Sequence, residues 1–249
     1  MQSYGKLCTQ YYDLDKPAPP PDALTFYLKQ AGAASGPILE PMCGSGRFLI
    51  PLMQAGFEVT GVDPSHAMLK ACRLKAKALG LNPILYPQFL HEMEVPGSFA
   101  LALIPSGSFG LITNETEASQ SLGKIYQQLS PGGRLILELD HLSEEAALLM
   151  GSGESSVTRS DGAQIKRISS GEYDPVERVF HGINVYELIE QGQSAEQELE
   201  HFNLRYYEPG QITHLLEKSG FSLLALHTAF DHNIPISDSK SFVLIASKC

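Results

Sequence analysis

Between residues 37 and 140, short apolar runs alternate with longer stretches of helical periodicity, and that alternation leaves few folds open. Strands are expected over 37–40 (PILE), 57–63 (FEVTGVD), 82–88 (NPILYPQ), 99–105 (FALALIP) and 134–140 (RLILELD), with helices over 46–56, 65–79 and 115–129 between them. Strands joined through helices are parallel, and a run as apolar as 99–105 needs cover on both sheet faces. The expectation is therefore a Rossmann-like, doubly wound α/β sheet, mostly parallel. After residue 150 the texture changes. A hairpin is expected over 155–170, turning at Asp161-Gly162, and two more strands over 176–190 and 197–207, all alternating polar with apolar as a sheet with one wet face does. A helix over 208–221 and strands over 221–230 and 241–248 then resume the α/β pattern. A small antiparallel sheet is thus inserted into an α/β sheet, which closes with an antiparallel strand as its seventh.

At 249 residues and 43% hydrophobic, the chain can bury the core of one such domain over 1–249. No run of about 18 apolar residues suggests a membrane span, and the N-terminus lacks the basic-then-apolar order of a signal peptide. Residues 17–21 (PAPPP) exclude regular helix or central strand there, and Asp22 is a plausible N-cap for a helix to about Gly32. Cys8, Cys43, Cys72 and Cys249 are scattered and form no CxxC pair, so neither a disulfide frame nor a metal site is expected and the chain reads as cytoplasmic. Lys and Arg total 18 against 28 Asp and Glu, a net charge of −10, which argues against a nucleic-acid partner. The basic stretch 66–80, with Lys70, Arg73, Lys75 and Lys77, reads as a solvated helix face.

Function is carried by ILEPMCGSGR at 38–47, where an apolar strand ends in an acid and turns through Gly44 and Gly46 into a helix. Glycines let backbone approach a ligand closely, and the carboxyl end of a parallel strand is where open α/β sheets bind one. No Lys-Ser or Lys-Thr follows Gly46, so a phosphate loop of the GxxxxGK[ST] type is excluded. The dinucleotide fingerprint GxGxxG is incomplete, with Leu49 in its third place. Asp63, ending the next strand, can accept two ribose hydroxyls in an NAD site or an S-adenosylmethionine site alike.

The acid and glycine turn Glu40-Pro41-Met42-Cys43-Gly44-Ser45-Gly46, the strand end GVDPS at 61–65, SPGGRLILEL at 130–139 and the closing Gly220-Phe221 together resemble the class I S-adenosylmethionine-dependent methyltransferases, over about 35–140 and 208–248. The insertion at 151–207 resembles, in architecture, the antiparallel cap of small-molecule N-methyltransferases such as those acting on amino sugars. The resemblance implies S-adenosylmethionine as cofactor and S-adenosylhomocysteine as product. It implies that Gly44 and Gly46 admit the methionine part, that Glu40 organises its ammonium and that Asp63 takes the ribose hydroxyls. Met68 would lie against the adenine, with Gln88 on its edge and Phe89 over the ring. Met42, Pro64, Ser65 and Ile104 complete the binding set, and Tyr12 belongs to an N-terminal segment, 1–34, that folds over the cofactor. Met42 stands where the family usually has its first glycine, and Phe99-Ala100 where it often has Phe-Asp.

On the acceptor side the resemblance points to Tyr11, Ser106, Ser108 and Phe109, with His141 at the correct sheet edge for a general base. Plain alternatives stand beside these roles: Glu40 as a strand-end cap, Asp63 as the N-cap of 65–79, Met68 as core and His141 as structural. The implied activity is methyl transfer to a small molecule, with the net charge favouring an amine. A catalytically silent binding or scaffolding protein and an NAD-linked oxidoreductase are the other readings. The 151–207 segment is expected to wall the acceptor pocket, to leave cofactor binding to the main sheet, and to offer a homodimer contact.

Overall fold

The computed structural model describes residues 4–142, 151–228, 230 and 239–248. Its main sheet contains β1 (Ile38–Pro41), β2 (Val59–Val62), β3 (Ile84–Tyr86), β4 (Phe99–Ile104), β5 (Leu129–Asp140), β10 (Phe221–Thr228) and β11 (Ser241–Lys248), in the spatial order β10-β11-β5-β4-β1-β2-β3. β1 to β5 run parallel, and β11 lies antiparallel between β5 and β10. Helices α2 (Pro21–Gly32), α3 (Leu49–Gln54) and α4 (His66–Ala78) cover one face; α5 (Glu115–Gln128) and α6 (Pro209–Lys218) cover the other. Successive residues of one strand serve opposite layers. Ile38, Leu101, Leu103 and Ile136 pack with Tyr27, Leu52 and Leu69, whereas Leu39, Ala102, Ile104 and Leu137 pack with Leu122, Ile125 and Ile212. This is why the strands read as continuously apolar.

The second sheet is β6 (Gly153–Thr158), β7 (Gln164–Asp174), β8 (Val179–Glu190) and β9 (Gln193–Arg205), antiparallel in sequence order. One face holds Ile165, Tyr186 and Leu188 against Leu7, Cys8 and Tyr11 of an N-terminal helix, α1 (Lys6–Asp15). The other face carries Ile168, Val185 and Leu199 side by side across three strands, with Leu199 59% exposed.

Three local readings change. Helix α3 begins at Leu49 because residues 42–48 are all used by the turn. The Ser130–Gly133 bend, with Gly132 at φ +72°, lies inside β5 as a register shift instead of preceding it. Asp22 is in the first turn of α2, whose N-cap is Pro20.

The strand order reverses between β1 and β4: the chain proceeds outward through β2 and β3 on one side and through β5 on the other. Loops leaving such a switch point diverge, which opens a crevice at the carboxyl ends of the strands. The end of β9 meets that crevice, since a Cβ on Gly110 would come 2.7 Å from the Arg205 carbonyl oxygen.

Candidate active site

The turn after β1 alternates left-handed residues, Met42 (φ +59°), Gly44 (+54°) and Gly46 (+82°). The two glycines do different work. A Cβ on Gly46 would come 2.5 Å from Cys72 Sγ and 3.2 Å from Ile50, so its bareness lets the turn pack on α4. A Cβ on Gly44 would meet nothing of the protein nearer than Met68 Sδ at 3.9 Å, and Gly44 borders a cleft of about 700 Å³. Met42 lines the same cleft in a conformation that costs a non-glycine residue roughly 1 kcal/mol or more.

Two carboxylates face this turn. Asp63 Oδ2 accepts from Gly44 N at 2.9 Å and Oδ1 from Ser65 N at 2.8 Å, which leaves each oxygen of this cleft-lining residue a further lone pair. Burial pushes its carboxyl up to about 6, against the two amides, which pull it down. The helix-cap alternative for Asp63 fails, because the N-cap of α4 is Ser65, whose Oγ accepts from Met68 N at 3.1 Å. Glu40 lies next to the end of β1 and is 2% exposed, and its Oε2 has no hydrogen-bond partner among the described residues. Burial raises its pKa well above the ordinary range; Arg47 pulls it down and Asp63 pushes it further up. An unsatisfied buried carboxylate oxygen is costly, and this one lies where a cation can complete it.

Arg47 is a cleft residue that the sequence reading passed over. Its guanidinium lies 5.7 Å from the Tyr12 ring centroid and 5.4 Å from that of Phe48, and Nη2 donates to Ser106 Oγ. Nε is buried without a partner, and no carboxylate among the described residues forms an ion pair with the side chain. Ser106 and Gly107 are both left-handed (φ +58° and +68°), and Ser106 N donates to the buried Glu138 at 2.7 Å. A Cβ on Gly107 would run into the Asp140 carboxylate, so only glycine lets this loop bring Ser106 and Ser108 to the cleft.

Tyr4 and Tyr12, from α1 and the residues before it, close one side with their rings edge to face at 6.2 Å. Asp13 pins the helix to the turn by accepting from Ser45 Oγ at 2.5 Å and Lys75 Nζ at 2.6 Å. Farther along, Pro64, Met68, Phe89 and Leu90 form an apolar slot, with the His91 ring stacked on Phe89 at 5.7 Å. The β4–α5 connection supplies Ile112 and Thr113, and β9 supplies His201 and Asn203.

Seven of the expected site residues do not line the cleft. Gly46 and Ser65 serve the turn and the helix cap, as described. The Gln88 amide closes on backbone instead of an adenine edge, accepting from Glu94 N at 2.9 Å and donating to Glu94 O at 3.2 Å. Ile104 is fully buried under α5 and α6, and Phe109 is fully buried 5.9 Å from the Tyr207 ring. Tyr11 points away from its neighbour Tyr12 into the inserted sheet, where its hydroxyl donates to Ser155 Oγ at 2.7 Å. His141 extends the β5–β11 pairing through a 2.8 Å bond from its N–H to the Lys240 carbonyl and packs its ring against Phe242, and it is not among the residues that line the cleft. Tyr12, Glu40, Met42, Gly44, Asp63, Pro64, Met68, Phe89, Ser106 and Ser108 all line it.

Among the described residues, no three His, Cys, Asp or Glu side chains come together as a metal set, and no helix is long and apolar enough to cross a membrane.

The family model for a methyltransferase domain matches residues 38–133. A putative methyltransferase of Geobacillus sp. (strain WCH70) is 27% identical over 229 residues, covering 89% of this chain and 88% of its own. An S-adenosylmethionine-dependent methyltransferase from Clostridium acetobutylicum ATCC 824 superposes with a TM-score of 0.81 at 14% identity, over 98% of each chain. CalS10, an amino pentose methyltransferase from Micromonospora echinaspora solved with S-adenosylmethionine bound, gives a TM-score of 0.67 at 16% identity, over 92% of this chain and 91% of its own.

Proposed function

We propose that this chain, whose residues 38–133 match a methyltransferase-domain model, is an S-adenosylmethionine-dependent methyltransferase that methylates a small-molecule acceptor, with an amine as the favoured class. The observation that carries this reading is the Glu40 oxygen: a buried carboxylate acceptor with no partner, beside Asp63 and the bare backbone of Gly44. A sulfonium amino acid joined to a nucleoside fits that set. Its ammonium would complete Glu40, its ribose hydroxyls would be held by Asp63, and its carboxylate would be met by the Arg47 guanidinium, which has no ion-pair partner among the described residues. Pro64, Met68, Phe89 and Leu90 would flank the base.

When bound, the cofactor supplies a methyl group on a positively charged sulfur, open to displacement by a lone pair. The protein's contribution is alignment and exclusion of water. Tyr4 and Tyr12 shield the turn from solvent, and Ser106, Ser108 and Asn203 offer donors and acceptors to hold an acceptor. A protonated amine must first lose a proton, and His201, on the inserted strand, is the cleft histidine we assign to receive it. His91 lies instead beside Phe89, Glu92 and Glu117. Glu92 and Glu117 on the cleft wall and the net charge of −10 favour a cationic acceptor, and the CalS10 neighbour acts on an amino pentose.

Incubation with methyl-labelled S-adenosylmethionine and a metabolite panel tests the reading. Label in a small amine supports it. Label only in hydroxy or carbon acceptors overturns the amine preference, and label only in macromolecules overturns the small-molecule class.

A further inference from the structure

We infer that Glu198 and Glu200 of the inserted sheet are positioning residues for the cofactor cleft, acting through α1 without touching what the cleft binds. The inference rests on the reading of that cleft as the S-adenosylmethionine site. The first turn of any helix leaves backbone N–H groups without partners, and the N-cap of α1, Gly5, has no side chain to offer. Glu198 supplies the cap from 190 residues away: Oε2 accepts from Leu7 N at 2.9 Å and Oε1 from Cys8 N at 3.0 Å. A negative group at a helix N-terminus is also favoured by the helix dipole. The fit explains the glycine, since a Cβ at position 5 would come 2.5 Å from Glu198 Cδ.

Glu200, 4% exposed, gathers four donors: Tyr4 N at 3.2 Å, Asn184 Nδ2 and Tyr186 OH at 3.0 Å, and Cys8 Sγ at 3.4 Å. Tyr4 is thereby held at φ +64°, with its carbonyl accepting from Ser65 Oγ at 2.6 Å and its side chain lining the cleft. α1 is thus tied at its start to β9 and at its end, through Asp13, to the glycine turn. The same β9 sends His201 and Asn203 into the cleft wall. The insertion therefore orders the cofactor's cover as well as walling the cleft, and the two tyrosines keep their places only while the cap on α1 holds.

Calorimetry of the full-length protein with S-adenosylhomocysteine tests this, alongside melting of the ligand-free protein. Glu198→Ala should raise the Kd about tenfold, the scale of a lost helix cap. Glu198→Gln, which keeps one of the two acceptor oxygens, should fall between, and Gly5→Ala should reproduce the alanine variant. Asp13→Ala combined with Glu198→Ala should weaken binding by less than the product of the single effects, because both act by seating one helix. A merely structural role would lower the melting point of all these variants and leave the Kd of the folded protein unchanged. That pattern overturns the inference, as does a Glu198→Ala protein that binds like the wild type. If the wild type itself fails to bind S-adenosylhomocysteine, it is the assignment of the cleft that falls.

Discussion

Replacing Glu40 by glutamine should make the ligand-free protein more stable and cofactor binding weaker, a pairing that few structural residues would produce. The side chain is 2% exposed, with one oxygen unpartnered, and burial has moved its carboxyl well above its ordinary value of 4.5. A raised carboxyl means that the folded state holds its proton over a pH range in which the unfolded chain has released it. Stability therefore falls as pH rises through that window, by about 1.4 kcal/mol per pH unit. The penalty cannot exceed full neutralisation, which at pH 7 sets a ceiling of about 3 kcal/mol, counted from 4.5. Glutamine has the same shape and no charge, so it should raise stability at pH 7, within that ceiling, and with it the Tm. The gain should shrink toward zero as the buffer falls well below pH 4.5, where the unfolded chain is protonated as well. Binding moves the other way. A charge-assisted hydrogen bond to an ammonium contributes about 1.5–3 kcal/mol, so Kd for S-adenosylmethionine should rise about 10- to 100-fold. Paired melting and calorimetric titrations read both effects. A variant that melts below the wild type, or binds within twofold of it, refutes the reasoning.

Asp63, whose carboxyl is pushed up to about 6, must be ionised to accept ribose hydroxyls well. Cofactor affinity, titrated at both pH values, should thus weaken by at least about tenfold from pH 7 to pH 5, and Asp63→Asn should lower that dependence by about tenfold, leaving the part that Glu40 carries; a flat profile in the wild type contradicts this. Gly44→Ala should cost about 1 kcal/mol, for the left-handed backbone alone, and bind at least about tenfold more weakly, while Gly46→Ala should cost about 1–3 kcal/mol more than that, because its Cβ also strikes Cys72. Equal melting points for the two variants would remove the distinction between them. Replacing residues 151–207 by a short linker should weaken cofactor binding as well as abolish turnover, because α1 loses its seat on β8 and β9. Undiminished affinity in the shortened protein would restore the expectation that the main sheet binds the cofactor unaided.

The glycine turn, Glu40 and Asp63 were legible because the alternation of strand and helix fixes where each strand ends, and chemistry at strand ends follows from the sheet's topology. The inserted sheet was legible for the same reason, its alternation matching the pleat. What sequence hid were contacts between distant residues. KLCTQYYDLD carries no side-chain N-cap of its own, so nothing local announces α1; its cap is Glu198. Tyr11 and Tyr12 are neighbours in sequence, yet about 100° of helical rotation sends one to the inserted sheet and the other to the cleft. Gln88 looked free for a base edge, but the backbone of Glu94 returns to meet it. Arg47 was the one omission with a local signal, a lone cation directly after the glycine turn. His201 and Asn203 had none, since polar residues alternating along β9 look the same whether they face water or a ligand.

The central claim is that the cleft above Gly44, Glu40 and Asp63 binds S-adenosylmethionine, and calorimetric titration of the intact protein tests it most directly. One equivalent each of S-adenosylmethionine and S-adenosylhomocysteine should bind per chain at pH 7, with no heat from NAD. Binding of NAD, or no binding of either sulfur ligand, would contradict the account.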